Sequence, residues 1–92
     1  MGEVVPKKQW YVYFLRCADG SLYAGVTTDV TRRVREHNGE GGKGKGAKYT
    51  KARSPVNLVY QESMPTRSKA LIREAQLRKL SKLEKEKIAK LA

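Results

Sequence analysis

Cysteine is almost missing from this 92-residue chain, where Cys17 stands alone. One thiol cannot build a disulfide framework, which suits a reducing compartment. Histidine is as scarce, and a single His37 excludes a multi-histidine metal site. No apolar run approaches the ~20 residues of a membrane span. The opening Met-Gly-Glu-Val-Val-Pro-Lys-Lys-Gln has no apolar signal-peptide core. These absences lead to the expectation of a cytoplasmic protein with no membrane partner, residues 1–9 forming a mobile leader and residues 10–92 a single domain. Acids are also in deficit: nine against twenty lysines and arginines, for a net charge of +11. Such a balance points to a polyanionic partner, nucleic acid first and an anionic membrane surface second.

What is present is organised around residues 10–26, two apolar-aromatic runs flanking Asp19-Gly20, which read as a β-hairpin. Strand side chains alternate, so the loop length decides which residues share a face. A loop of Ala18-Asp19-Gly20 with Gly20 left-handed pairs Cys17 with Ser21 and Tyr13 with Gly25. Val12, Phe14, Leu22, Ala24 and Val26 then form one apolar face. Tyr13, Tyr23 and Gly25 share the other, with a small hollow expected beside Gly25.

Further along, Val30, Arg33, Val34 and His37 fall on one face of a helix, with Thr28 as its N-cap and Asn38-Gly39 as its stop. Arg33, held beside the core, suits either a phosphate or a neighbouring carboxylate. His37 sits at the helix C-terminus, where a partly charged imidazole is favoured and capping or packing is its plainest role. Residues 39–48 form a Gly-Lys loop that lacks the Ser or Thr of a phosphate-binding loop, since Gly46 stands there. Lys43, Lys45, Lys48, Lys51 and Arg53 surround Tyr49, a pattern that suits backbone tracking with a base stacked on the ring; a solvated loop with Tyr49 tucked against the body is the alternative.

A third strand follows over 56–61, with Val56, Leu58 and Tyr60 on one face, and then a helix over about 67–80 capped by Thr66. On that helix Glu74 falls inside the arc of Ala70, Leu71, Ala75 and Leu77. A buried carboxylate is costly unless something binds it. Arg78 at i+4 and Arg67 are candidate ion-pair partners, and a divalent cation is the functional alternative. Ser81-Lys82-Leu83-Glu84 is a capping box that starts a last helix, with Leu83, Ile88 and Leu91 on its apolar side.

Tyr11-Val12-Tyr13 and, nine residues on, Tyr23-Ala24-Gly25 resemble the signature words of the GIY-YIG nuclease superfamily, and the flanking residues resemble its small stand-alone bacterial members. The resemblance extends over roughly residues 10–80. The family's helical arginine lies ten residues after the second tyrosine, which is Arg33 here, and its glutamate lies in a word similar to Ala70-Leu71-Ile72-Arg73-Glu74. His37 matches a histidine found in many members.

The resemblance implies an α+β fold of order β-β-α-β-α-α, a three-stranded antiparallel sheet flanked by helices. It implies metal-dependent hydrolysis of phosphodiesters, with DNA the expected partner and a weakly sequence-specific or structure-dependent choice of site. Glu74 would hold Mg²⁺ or Mn²⁺, Arg33 would neutralise the phosphate, and one phenol of Tyr13 or Tyr23 would take a proton from water, with His37 a further catalytic candidate. Val12 and Ala24 depart harmlessly from the family's words. More seriously, the asparagine of many active members has no counterpart after Asn57. With no second DNA-binding domain in the chain, specificity is expected from a protein partner. A nucleic-acid-binding module without turnover is the second reading, and a basic adaptor the third.

Overall fold

The hairpin forms because its two runs can bury one apolar face while a glycine turns the chain. In the computed structural model, which describes residues 9–40 and 48–90, β1 (Trp10–Arg16) pairs antiparallel with β2 (Leu22–Thr27) and sets Tyr13 opposite Gly25. The turn is the bulged three-residue kind. Gly20 adopts a φ of +85°, and its N–H donates to the Cys17 carbonyl at 2.9 Å. Asp19 supports the turn by accepting from the backbone N–H of Ser21 at 3.0 Å.

β3 (Asn57–Met64) joins the other side of β1, giving a three-stranded antiparallel sheet of order β2-β1-β3. It corrects the expected alternation. The register slips between Phe14 and Leu15, so that Phe14 faces Tyr60 whereas Leu15 faces Leu58. One extra residue, Val59, thus enters β3 as a bulge and breaks the period of two. Val56 is buried beside Tyr13, Leu15 and Cys17, Tyr60 packs with the opposite cluster, and Leu58 is exposed. Three residues expected on one face therefore have three fates.

Two clusters cover the two faces of the sheet. Val12, Phe14 and Ala24 meet Ala70 and Leu77 of α3 (Arg67–Arg78), with Leu80 and Ile88 packed against them. Tyr13, Leu15, Cys17 and Val56 meet Val34 of α1 (Val30–His37) and Tyr23 of β2. The N-cap of α1 is Asp29, not Thr28: the Asp29 carboxylate accepts from the Arg32 N–H at 3.0 Å, while Thr27 Oγ1 takes the Asp29 N–H. Asn38 and Gly39, the latter at φ +94°, end the helix as expected.

Thr66 caps α3 and Ser81 forms the expected capping box of α4 (Lys82–Ala89). The apolar side of α4 differs from expectation: Leu83 is exposed, whereas Ile88 and Ala89 pack inward. Glu86 makes a two-pronged ion pair with Arg16, which docks α4 on the end of β1 and holds the Glu86 carboxyl below its usual range. A short helix, α2 (Lys48–Lys51), was not expected from the sequence. Residues 1–8 of the expected leader, Lys43 and Lys45 of the Gly-Lys loop, and Leu91 lie outside the described residues.

Candidate active site

Gly25 is where the two faces of the hairpin come closest to chemistry. The Tyr13 ring lies directly over it, and a Cβ at this position would overlap the phenol's hydroxyl and Cζ. The expected hollow is therefore filled by Tyr13 itself, which is only 1% exposed. Its hydroxyl is 2.9 Å from His37 Nε2 at the end of α1. The other imidazole nitrogen, Nδ1, is 2.7 Å from Thr50 Oγ1 on α2. Both His37 and Thr50 are buried to 1% or less.

His37 also stands edge-on to two phenols, with ring centroids 6.1 Å from Tyr13 and 5.2 Å from Tyr23. Burial, helped by the positive charge of Arg33, pushes the imidazole pKa down to about 4. The ring is thus neutral at physiological pH, which corrects the expectation of a partly charged helix cap. Because the unfolded chain binds this proton more readily, stability contributed above pH 6.5 is lost as the pH falls toward 4. The expected slope is up to roughly 1.4 kcal/mol per pH unit across that window. Urea denaturation at several pH values checks it: His37→Gln should flatten the slope between pH 6.5 and 4.

Burial likewise pushes the Tyr13 phenol up to about 12, against the lowering field of Arg33 and with Tyr23 and Glu74 adding to the rise. Tyr13 is therefore within electrostatic reach of Tyr23, Arg33 and Glu74, which come from its own hairpin and two helices. Arg33 pairs with Glu36 at 2.9 Å, the neighbouring carboxylate its position allows, and its charge also bears on the Tyr13 phenol.

Glu74 lies on α3 between the buried Ala70 and Leu77, its side chain 15% exposed. The apolar arc is narrower than expected, since Leu71 and Ala75 reach solvent. Arg78 approaches Glu74 at 3.5 Å and is itself largely exposed. Arg67, the other expected partner, instead lies over the Trp10 ring. A loose pair with an exposed arginine contributes about 0–1 kcal/mol. Among the described residues no group of three or more His, Cys, Asp and Glu side chains is arranged for a metal. A lone half-buried carboxylate still fits Mg²⁺ or Mn²⁺, because such ions take one or two protein oxygens and complete their shell with water and substrate phosphate.

Of the cations expected to track a backbone, Arg53 is engaged within the fold. Arg53 pairs with Asp19 at 2.9 Å and lies 3.9 Å over the Tyr49 ring, and Tyr49 donates to Ser21 Oγ at 2.8 Å while stacking on Tyr23. Tyr49 is thus held between body groups and is only partly exposed. The two residues pin α2 to the hairpin turn and so deliver Thr50 to His37. Lys51 is exposed, and the Lys48 side chain lies outside the described residues. Thr50 was missed by sequence reasoning, since a threonine after a glycine-rich loop carries no periodic signal. Thr50→Val is expected to destabilise by about 1–3 kcal/mol through the unpaired imidazole nitrogen, with Thr50→Ser retaining most of the stability in the same denaturation assay.

Residues 9–87 match the model of the GIY-YIG catalytic domain. The chain belongs to the GIY-YIG family. This GIY-YIG chain is 52% identical over 79 residues to a UPF0213 protein of Haloquadratum walsbyi, covering 86% of this chain and 84% of that one. A Staphylococcus aureus UPF0213 protein is 48% identical over 80 residues, covering 87% and 93%. Among solved structures, the solution NMR structure of a Bacillus halodurans UPF0213 protein is similar at TM-score 0.56 and 43% identity, over 90% of this chain and 84% of that chain. A solution NMR structure from E. faecalis is similar at TM-score 0.59 and 44% identity, over 92% and 86%. The two solved structures share the α+β fold of this chain. Among the described residues no helix is long and apolar enough to cross a membrane.

Proposed function

We propose that this GIY-YIG chain is a divalent-cation-dependent endonuclease that hydrolyses phosphodiester bonds in DNA, with weak sequence preference or a preference for structure. One observation supports the reading above the others: Tyr13, packed over Gly25, lies within electrostatic reach of Arg33, Tyr23 and Glu74 together. Arg33 is the group that neutralises the phosphate oxygens as charge develops there, a role for which a planar guanidinium is well shaped. Glu74, with Mg²⁺ or Mn²⁺ bound, would polarise the phosphate and stabilise the leaving oxygen.

The two phenols divide the work. Tyr13, with its pKa near 12 and its oxygen bonded toward His37, keeps its proton and fixes the imidazole. His37 and Thr50 act as positioning residues behind it. Tyr23 lines an open cleft, and its hydroxyl makes no hydrogen bond among the described residues. Proton removal from the attacking water is therefore assigned to Tyr23. Accordingly Tyr23→Phe should abolish cleavage, whereas Tyr13→Phe should lower the rate without abolishing it, as single-turnover cleavage assays would show.

The first experiment is nicking of labelled single-stranded and branched DNA with Mg²⁺ or Mn²⁺. Cleavage that stops with chelator and returns with added metal supports the proposal; no cleavage with any of these DNAs contradicts it. A second reading, a nucleic-acid-binding module without turnover, is favoured by Arg78, which sits 3.5 Å from the carboxylate that the cation would need.

A further inference from the structure

A second surface adjoins the site. A cleft of about 380 Å³ opens between β2, α2 and the corner of α3 and α4, lined by Leu22, Tyr23, Ala24, Tyr49, Arg78 and Lys85 among others. A smaller depression of about 290 Å³ continues it, sharing Leu22, Tyr49 and Lys85 and adding Lys82. The acids at this end are already neutralised, Asp19 by Arg53 and Glu86 by Arg16. Lys82 and Lys85 make no ion pair among the described residues. The walls thus combine apolar and aromatic faces with two lysines that make no ion pair among the described residues and with Arg78, which pairs loosely with Glu74 at 3.5 Å, and the volume lies at the small end of the range for ligand pockets, about 300–1,000 Å³.

We infer that this cleft is a subsite for the nucleotide flanking the bond to be cut, with the sugar and base against Leu22, Tyr23 and Tyr49 and the phosphate between Arg78 and Lys85. The inference rests on the nuclease reading, since Tyr23 belongs to both surfaces. It reroutes the substrate. The sequence pattern directs the backbone over the cations of residues 43–53, whereas Arg53 is committed to Asp19 and Tyr49 and the uncompensated charge lies at the start of α4. The ligand is a phosphodiester chain rather than a generic polyanion, because a cation-only surface would not need the aromatic wall.

The test is fluorescence anisotropy of a short fluorescein-labelled oligodeoxynucleotide, in chelator so that nothing is cut. Lys82→Ala and Lys85→Ala lie on a solvent-facing helix and should fold normally. Each is expected to weaken binding about fivefold and to reduce the slope of log K against log salt by about 0.7–0.9. Lys51→Ala, on exposed α2, should bind as wild type, and poly-glutamate should displace the oligonucleotide poorly. With metal, Lys85→Ala should raise KM and leave kcat unchanged. Wild-type binding by both lysine variants overturns the subsite, as does an equal loss in Lys51→Ala or equal displacement by poly-glutamate. If DNA is cut but Lys85→Ala has no effect, the subsite fails and the nuclease reading stands. If binding follows the predicted pattern without any cleavage, the nuclease reading fails and with it the cutting subsite, leaving the cleft as a binding surface for a phosphodiester chain.

Discussion

Glu74→Gln is expected to lower kcat for DNA cleavage by roughly 10²–10³-fold, the usual size of losing one electrostatic stabiliser of a transition state. Glutamine keeps the shape of the side chain and removes its charge, so the half-buried position on α3 remains filled. Folding should be almost unaffected. Among the described residues Glu74 pairs only with the exposed Arg78, loosely at 3.5 Å, and such pairs contribute about 0–1 kcal/mol. Oligonucleotide binding in chelator should hold or tighten, since a negative charge leaves the path of a polyanion. Single-turnover cleavage, anisotropy and thermal melting on the same variant separate these outcomes. Unchanged cleavage would contradict the assignment of Glu74.

The second large effect concerns stability. Gly25→Ala would ordinarily be neutral or favourable in a strand, because glycine costs roughly 0.5–1 kcal/mol relative to alanine there. Here the added methyl would overlap the Tyr13 hydroxyl and Cζ. The ring cannot simply step aside, since its oxygen is tied to His37 and the imidazole to Thr50. Overpacking of this kind typically costs about 1–3 kcal/mol, and breaking the buried phenol–imidazole bond adds about 1–3 more. A net loss of about 2–4 kcal/mol is expected in urea denaturation. Tyr13→Phe in the same chain should recover part of it, because the hydroxyl is removed while Cζ remains, giving a measurable coupling between the two sites. A Gly25→Ala variant as stable as wild type would show that the ring does not lie where the structure has it.

Much of the hairpin was legible because a core allows only one parity. The odd-length loop was the choice that put Val12, Phe14, Leu22, Ala24 and Val26 together, and it fixed Tyr13 against Gly25. Arg33 and Glu74 stood out because helical spacing set charged groups beside buried faces. What stayed hidden depends on contacts distant in sequence. The bulge at Val59 compensates for a register slip that alternation cannot reveal, so Val56, Leu58 and Tyr60 were grouped wrongly. Helix α2 is one turn long and held by Asp19 and Ser21, which no local pattern announces. For the same reason Thr50 was missed, and the contacts that hold Tyr49 and Arg53 to the body stayed hidden. Thr28 and Asp29 are both good caps, and backbone geometry chose the second. The neutral state of His37 is also a tertiary property: helix position favours its charge, but burial beneath two phenols and the nearby Arg33 outweigh that.

The most direct measurement is paramagnetic line broadening in a ¹⁵N-labelled sample, recorded as Mn²⁺ is added in the presence of an oligonucleotide with uncleavable phosphate linkages. The account predicts broadening centred on the amides of Glu74, Gly25 and Tyr23, and its loss in Glu74→Gln while the oligonucleotide stays bound. Broadening centred elsewhere, or unchanged by Glu74→Gln, would contradict a cation and a phosphate meeting between these phenols, the guanidinium and the carboxylate.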